Sequence, residues 1–276
     1  MAINANSRYE APRALTAKEL VIDFLSNRAP REMPARVIVD TAAAIGFTEQ
    51  SVRMALTRIV EDGVAVSIGR GVYKLAPSGD AMRREVRKWR NITDSTKAWT
   101  GGWVAIYDAP IRRSDRAALR RHEQALRLRG FRELVAGLAL RPANLRDSTG
   151  ELRAQLQALG LHREALVALM NDLDDATRAR AMELWDTKAL LDTYQQLMRA
   201  MNASTRRVES LPLAVAAGET LVLGRDVLRH INLDPLLPAE LMPERPLRDL
   251  VRTMNAYDAM ARQIWRRFMS QFEVRS

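Results

Sequence analysis

Residues 45–76 restrict what this chain can become more than any other stretch. They read IGFTEQSVRMALTRIVEDG followed by VAVSIGRGVYKLA. Thr48 is placed to cap a helix, and Glu49 puts negative charge at its positive end. Val52, Leu56 and Ile59 recur at helical spacing and make one apolar stripe. The opposite face then holds Gln50, Met54 and Thr57, flanked by Ser51, Arg53 and Arg58. Asp62-Gly63 ends the helix, because glycine tolerates the left-handed cap. Two short alternating runs, 64–68 and 72–76, are joined by Gly69-Arg70-Gly71, which predicts a hairpin with a basic tip.

Amide, hydroxyl and guanidinium groups on one helix face are those that read base edges and hold phosphates in a major groove. The same pattern also fits an ordinary helix–hairpin piece whose polar face is merely solvated. The flanks narrow the choice. Residues 16–26 carry Leu20, Val21, Phe24 and Leu25 at helical spacing, Pro30 and Pro34 interrupt, and 36–45 predict a second helix. Helix, helix, turn, helix, hairpin is the order of a winged helix-turn-helix, expected over residues 14–78.

The 276 residues suffice for two or three small domains. The net charge of +10 favours a polyanionic partner. It is distributed as +2 over 1–78, +3 over 79–98, +4 over 99–172 and +1 over 173–276, so the excess follows the proposed reading head. Without cysteine there are no disulfides, thiolate metal sites or cysteine nucleophiles. No apolar run is long enough for a membrane span and 1–12 lack a signal core, so a soluble cytoplasmic protein is expected. No cofactor, metal site or catalytic constellation is expected, because the three histidines lack ligand spacing and no phosphate loop or Ser-His-Asp arrangement stands out.

Residues 1–13 read as a loose arm and 78–97 as a basic helical connector, assigned to 79–98. From Trp99-Thr100-Gly101-Gly102-Trp103 onward, the pattern predicts strands over 103–108, 131–135, 138–141 and 165–170, with helices over 114–129 and 149–159. The order β-α-β-β-α-β is that of a ferredoxin-like domain, residues 99–172. Residues 173–276 read as a helical C-terminal domain. It holds a long helix marked by Met182, Trp185, Ala189, Tyr194, Leu197 and Met201, a second over 213–231, a proline strap over 233–246 and a last helix over 246–272. The fold class expected is therefore α+β with several domains.

Three stretches together resemble the phenylacetic acid degradation repressor family, the PaaX-like regulators. They are the segment from Gly46 to Gly63; Trp99-Thr100-Gly101-Gly102-Trp103 with Gly130-Phe131 and Leu140-Arg141-Pro142; and Asp234-Pro235-Leu236-Leu237-Pro238-Ala239-Glu240-Leu241-Met242-Pro243. The likeness spans nearly the whole chain in the family's order. Two departures are a short, weakly basic hairpin tip and Glu244-Arg245-Pro246 in place of an aromatic-glycine step.

The resemblance implies a homodimeric transcriptional repressor, not an enzyme, that binds a palindromic operator of an aromatic-compound catabolic operon and is released by an aromatic acyl-CoA thioester or related catabolite. The DNA contacts expected are Gln50, Ser51, Arg53, Met54, Thr57 and Arg58 from the helix, with Arg70 and Lys74 from the hairpin. For the effector, Arg112, Arg116 and Arg120 offer guanidinium forks to phosphates, and Trp103, Tyr107, Trp185 and Tyr194 an apolar slot. The alternatives weighed are a metal-dependent nuclease, with Asp108 ending the first middle-domain strand, and an effector-independent architectural DNA-binding protein.

Overall fold

The structure, a computed structural model, describes residues 15–27, 32–69, 71–77, 88–109, 111 and 115–273. The chain is a mixed α+β protein with two small antiparallel sheets. The expected arm, Arg70, Arg112 and residues 79–87 of the basic connector lie outside the described residues. Two compact units emerge. One comprises the described residues of Glu10–Arg90, Met198–Leu228 and Arg252–Ser276; the other contains Asn91–Leu197 and Arg229–Val251. The division falls inside three α-helices and one 3-10 helix, so it cuts across the segments 79–98 and 173–276.

The first unit begins with α1 (Ala17–Asn27), β1 (Glu32–Pro34), α2 (Ala35–Ala44), α3 (Glu49–Glu61), β2 (Ala65–Ser67) and β3 (Val72–Leu75). Pro34 does interrupt, but as the end of a short strand rather than a loop: β1 pairs with β3, giving the antiparallel order β1-β3-β2. Three residues are too few for periodicity to reveal a strand. Between α2 and α3 the chain makes a tight turn, with Gly46 at φ 96° and the Phe47 N–H donating to the Ala42 carbonyl. That is a left-handed helix stop, which glycine permits. Val52, Leu56 and Ile59 are buried, as the stripe requires, beside Leu20, Phe24 and Ile38. Each such burial contributes roughly 1.5–3 kcal/mol.

Phe268 and Met269, from the end of the chain, share this core. The Trp265 ring lies 5.5 Å from Phe24 and 5.6 Å from Phe268. The last helix therefore packs partly with the N-terminal helices and not only within its own C-terminal segment. An apolar stripe records that a face is buried and leaves its partner open. Arg225 is paired with Asp23 and, at 3.3 Å, with Glu19. Desolvation nonetheless raises the Asp23 pKa above its ordinary value, against the pull of Arg225. The described end of the connector, Lys88–Ser95, is 3-10 helix with a kink at Asn91. Trp89 is buried there, and Arg90 lies over its ring at 4.7 Å and pairs with Asp258.

The second unit holds β4 (Trp103–Tyr107), α4 (Arg116–Leu128), β5 (Arg132–Val135), β6 (Leu138–Pro142), α5 (Thr149–Leu159) and β7 (Leu166–Met170). The sheet is antiparallel throughout, in the order β5-β6-β4-β7. Val104, Ile106, Ala139 and Val167 pack with Ala125 of α4 and with Leu152 and Leu156 of α5. The α5 start is a capping box of Ser148 and Glu151, and Gly160 closes it at φ 107°.

The expected long helix from Met182 to Met201 is two helices, α6 (Asp175–Met182) and α7 (Thr187–Arg207). Trp185 sits in the break, buried, its Nε1 donating to the Gly130 carbonyl at 3.1 Å. Asp186 restarts the helix by accepting the Ala189 N–H at 2.8 Å. Spacing of 3 and 4 fits an uninterrupted helix equally well, so the sequence pattern does not register the break. The remaining helices are α8 (Leu213–Asn232) and α9 (Arg245–Glu273), with the non-helical proline strap between them.

Candidate nucleic-acid interface and the proline strap

The N-terminal unit presents the outer face of α3. The Thr48 hydroxyl accepts the Ser51 N–H at 3.2 Å and fixes the helix start. Gln50, Arg53, Met54, Thr57 and Arg58 are exposed, and Ser51 is half-buried. Arg53 Nε donates to Glu49 Oε1 at 2.7 Å, with both side chains about 60% exposed. That pair is worth only about 0.3–0.5 kcal/mol, so little opposes turning the guanidinium toward a phosphate or a base. The Ser51 and Thr57 hydroxyls donate to the carbonyls of Thr48 and Arg53. Lys74 lies half-buried in β3, the central strand of its sheet, paired with Glu32 and Val66 in register. Arg70 is not among the described residues.

Of the residues expected to form an effector slot, two are brought together. Trp103 and Trp185 stack at 6.2 Å with ring planes 8° apart, and Trp99 meets Trp103 edge-on at 5.1 Å. Trp103, Trp185 and Tyr194 are buried core, whereas Tyr107 ends β4 at 44% exposure. Large aromatic side chains are legible as buried but not as lining a space. Arg116 and Arg120 are exposed on α4.

The structure instead joins two of the motifs that carry the family resemblance. Arg141 is buried, and its donors reach neutral oxygens: Pro142 O, Arg129 O at 2.6 Å, Asn144 Oδ1 and Pro235 O. Burial, with Arg129 nearby, pulls its pKa down to about 9. Asn144 donates to the Leu236 carbonyl at 2.7 Å. Asp234 accepts from the buried Tyr194 hydroxyl and from the Leu236 N–H at 2.8 Å. Desolvation pushes the Asp234 carboxyl up to about 6, and burial raises the Tyr194 phenol. Beside the strap is a pocket of about 30 Å³, whose lining includes Thr96, Lys97, Asn144, Asp234, Leu247 and Arg248. None of the expected ligand residues lines it, and its volume suits about one water molecule. The composition of the strap marks it as ordered; nothing in sequence spacing joins it to Arg141.

Asp108 has a partner that spacing did not indicate. Its Oδ2 lies 2.7 Å from His122 Nε2, and His122 Nδ1 accepts the His162 N–H at 3.2 Å. An imidazole accepting at Nδ1 carries its proton on Nε2, so it donates to the carboxylate. His122 is thus a buried structural group. Among the described residues there is no group of three or more Asp, Glu or His side chains able to hold a metal. Nor, among those residues, is any helix long and apolar enough to cross a membrane.

The chain is similar to the solved structure of the uncharacterized protein Rv0674 from Mycobacterium tuberculosis, at 26% identity and a TM-score of 0.61. The match covers 92% of this chain and 99% of that one. No family model matches the chain, and no curated protein does.

Proposed function

We propose that this protein is a PaaX-like, ligand-responsive transcriptional repressor that binds a palindromic operator as a homodimer in the cytoplasm. In this reading residues 14–78 are a winged helix-turn-helix with α3 as recognition helix, and β4–β7 with α4 and α5 form a ferredoxin-like domain of strand order 2-3-1-4. The observation that carries it is α3 itself: one face is sealed into the core while the other exposes Gln50, Arg53, Met54, Thr57 and Arg58. The likeness of the three sequence stretches to the family and the net charge of +10 support the same reading. Two recognition helices related by a dyad would enter successive major grooves about 34 Å apart.

Release would follow from an effector that binds the two dimer geometries unequally. An aromatic acyl-CoA thioester is the class the resemblance implies, and the operon controlled would serve aromatic catabolism. The nuclease alternative would need Asp108 as a metal ligand, whereas that carboxylate is bonded to His122.

The test is binding to the DNA upstream of the gene, titrated with salt, with and without acyl-CoA thioesters and their free acids. Sequence-dependent binding released by one thioester is the expected result. Binding that only falls steeply with salt, with no preferred sequence, would overturn the repressor reading.

A further inference from the structure

Helix α4 turns a row of arginines outward. Arg116, Arg120 and Arg127 are all exposed, and at about 100° per residue they fall within about 40° of arc. The row lies opposite the buried His122 and Ala125. At about 1.5 Å per residue it is about 16 Å long. Burial, and then the Arg127 charge, lower the Arg132 pKa, so a fourth cation stands beside the end of the row.

The chain does not balance this row. Among the described residues, no carboxylate forms an ion pair with Arg116, Arg120 or Arg127. Exposed cations on other helices are paired one turn along: Arg36 with Asp40, Arg53 with Glu49, Lys188 with Asp192. The same arrangement is open to α4 and is not taken. Glu123 precedes Arg127 by four residues, the favourable order, yet the two make no ion pair. Arg116 and Arg120 are themselves four residues apart and repel each other. Arg116 is also the first residue of the helix, where the dipole disfavours a cation. Asp115 attracts Arg120, but its carboxylate is engaged in capping the Ala117 and Ala118 N–H groups. Electrostatics within the helix works against the row, and an anionic partner from outside the chain removes the conflict.

We propose that this face of α4 is a second DNA contact, a sequence-independent track for the phosphates of a duplex. It rests on the DNA-binding reading given above. Guanidinium forks match phosphate oxygens bidentately. The length of the row corresponds to about five nucleotide steps, at about 3.4 Å each along the duplex axis. An outer helix face is convex, whereas small-molecule sites are concave, so the row suits a polymer better than the phosphates of an effector. It has no aromatic ring on which an unpaired base could stack, which favours duplex over single strand. Side chains that touch only phosphates add affinity and fix orientation without reading sequence.

Fluorescence anisotropy of the full chain on two labelled duplexes, the upstream sequence and an unrelated one, tests the proposal across a range of salt. The variant is Arg116→Gln/Arg120→Gln/Arg127→Gln. Its control, Lys188→Gln/Arg245→Gln/Arg248→Gln, removes the same charge from exposed cations that are paired one turn away. Each lost phosphate contact should make the slope of log affinity against log salt shallower by about 0.9, so by about 2.7 per protomer. The change should be the same on both duplexes, leaving their affinity ratio as in wild type, and the control should keep the wild-type slope. An unchanged slope in the variant, or an equal change in the control, overturns the assignment. So does a variant altered only in its response to an acyl-CoA thioester, which would make the row an effector site. A wild type without sequence preference removes the repressor reading, while the slope on the unrelated duplex still decides this one.

Discussion

Arg141 donates to the carbonyl of Pro235, 94 residues further along the chain, from a site that is fully buried. The same guanidinium holds the carbonyls of Arg129 and Pro142. A planar fork with five donors is suited to bridging several fixed oxygens, and an ammonium is not. The resemblance motifs containing Leu140-Arg141-Pro142 and Asp234-Pro235 are thus parts of one buried polar junction. Replacing Arg141 with Met should destabilise the protein by about 3–5 kcal/mol, because several buried carbonyls lose their donor. Arg141→Lys should recover only part of the loss. Urea denaturation of the three proteins measures it, and equal stability of Lys and Arg would contradict the fork argument.

Gly130 occupies φ 74°, and a Cβ there would lie 2.8 Å from the Cα of Pro235. Gly101 has a similar φ of 88°, with no atom within 4 Å of its would-be Cβ. Gly101→Ala should therefore cost about 1 kcal/mol from the left-handed backbone alone. Gly130→Ala should cost about 2–4 kcal/mol, since the strap must also shift. Thermal melts of the pair separate the two effects; equal losses would mean the strap does not press on Gly130.

Asp234 gives the protein a pH dependence of definite sign. Its folded pKa of about 6 lies above the ordinary carboxyl value of 3.8. The folded state therefore binds more protons between those values, and this group's contribution is full below pH 3.8 and lost as pH rises through about 6. Asp234→Asn retains a neutral side chain at every pH. The stability of the variant relative to wild type should rise from pH 4 to pH 7, by up to roughly 3 kcal/mol. Paired melts across that range provide the check, and a difference independent of pH would place the Asp234 pKa near its ordinary value.

Within α3, folding and DNA contact should come apart. Thr48→Ala removes the cap on the Ser51 N–H and should cost about 1 kcal/mol of stability. Arg53→Ala removes a solvated side chain and should leave stability within about 0.5 kcal/mol of wild type. It should nevertheless abolish operator binding, at about 1–3 kcal/mol per lost contact in each half-site. Fluorescence anisotropy with labelled DNA, beside a melt, tells these apart. Wild-type affinity in Arg53→Ala would remove α3 from the recognition role.

Much of the local structure was legible because its causes are local. The helix start at Thr48, the stop at Gly63 and the helix end before Gly160 follow from groups a few residues apart. The short, mainly apolar runs at 103–108 and 138–141 marked the central strands of the larger sheet. The exposed face of α3 followed from the same periodicity that buries Val52, Leu56 and Ile59. The strand at Glu32–Pro34 and the break at Trp185 were not legible, since each is decided by a distant partner.

By itself the sequence determined the order of most elements, the buried stripe of α3, and the polar set that α3 presents. These depend on backbone preferences and on the 3.6- and 2-residue periods, which act over a few positions. Tertiary structure alone decided what each buried face meets. Phe268 and Met269 joined α1–α3, His122 took Asp108, and Arg141 reached the strap. Apolar burial is non-directional, and a buried polar group accepts any partner of correct geometry. Neither property leaves a mark at fixed spacing along the chain.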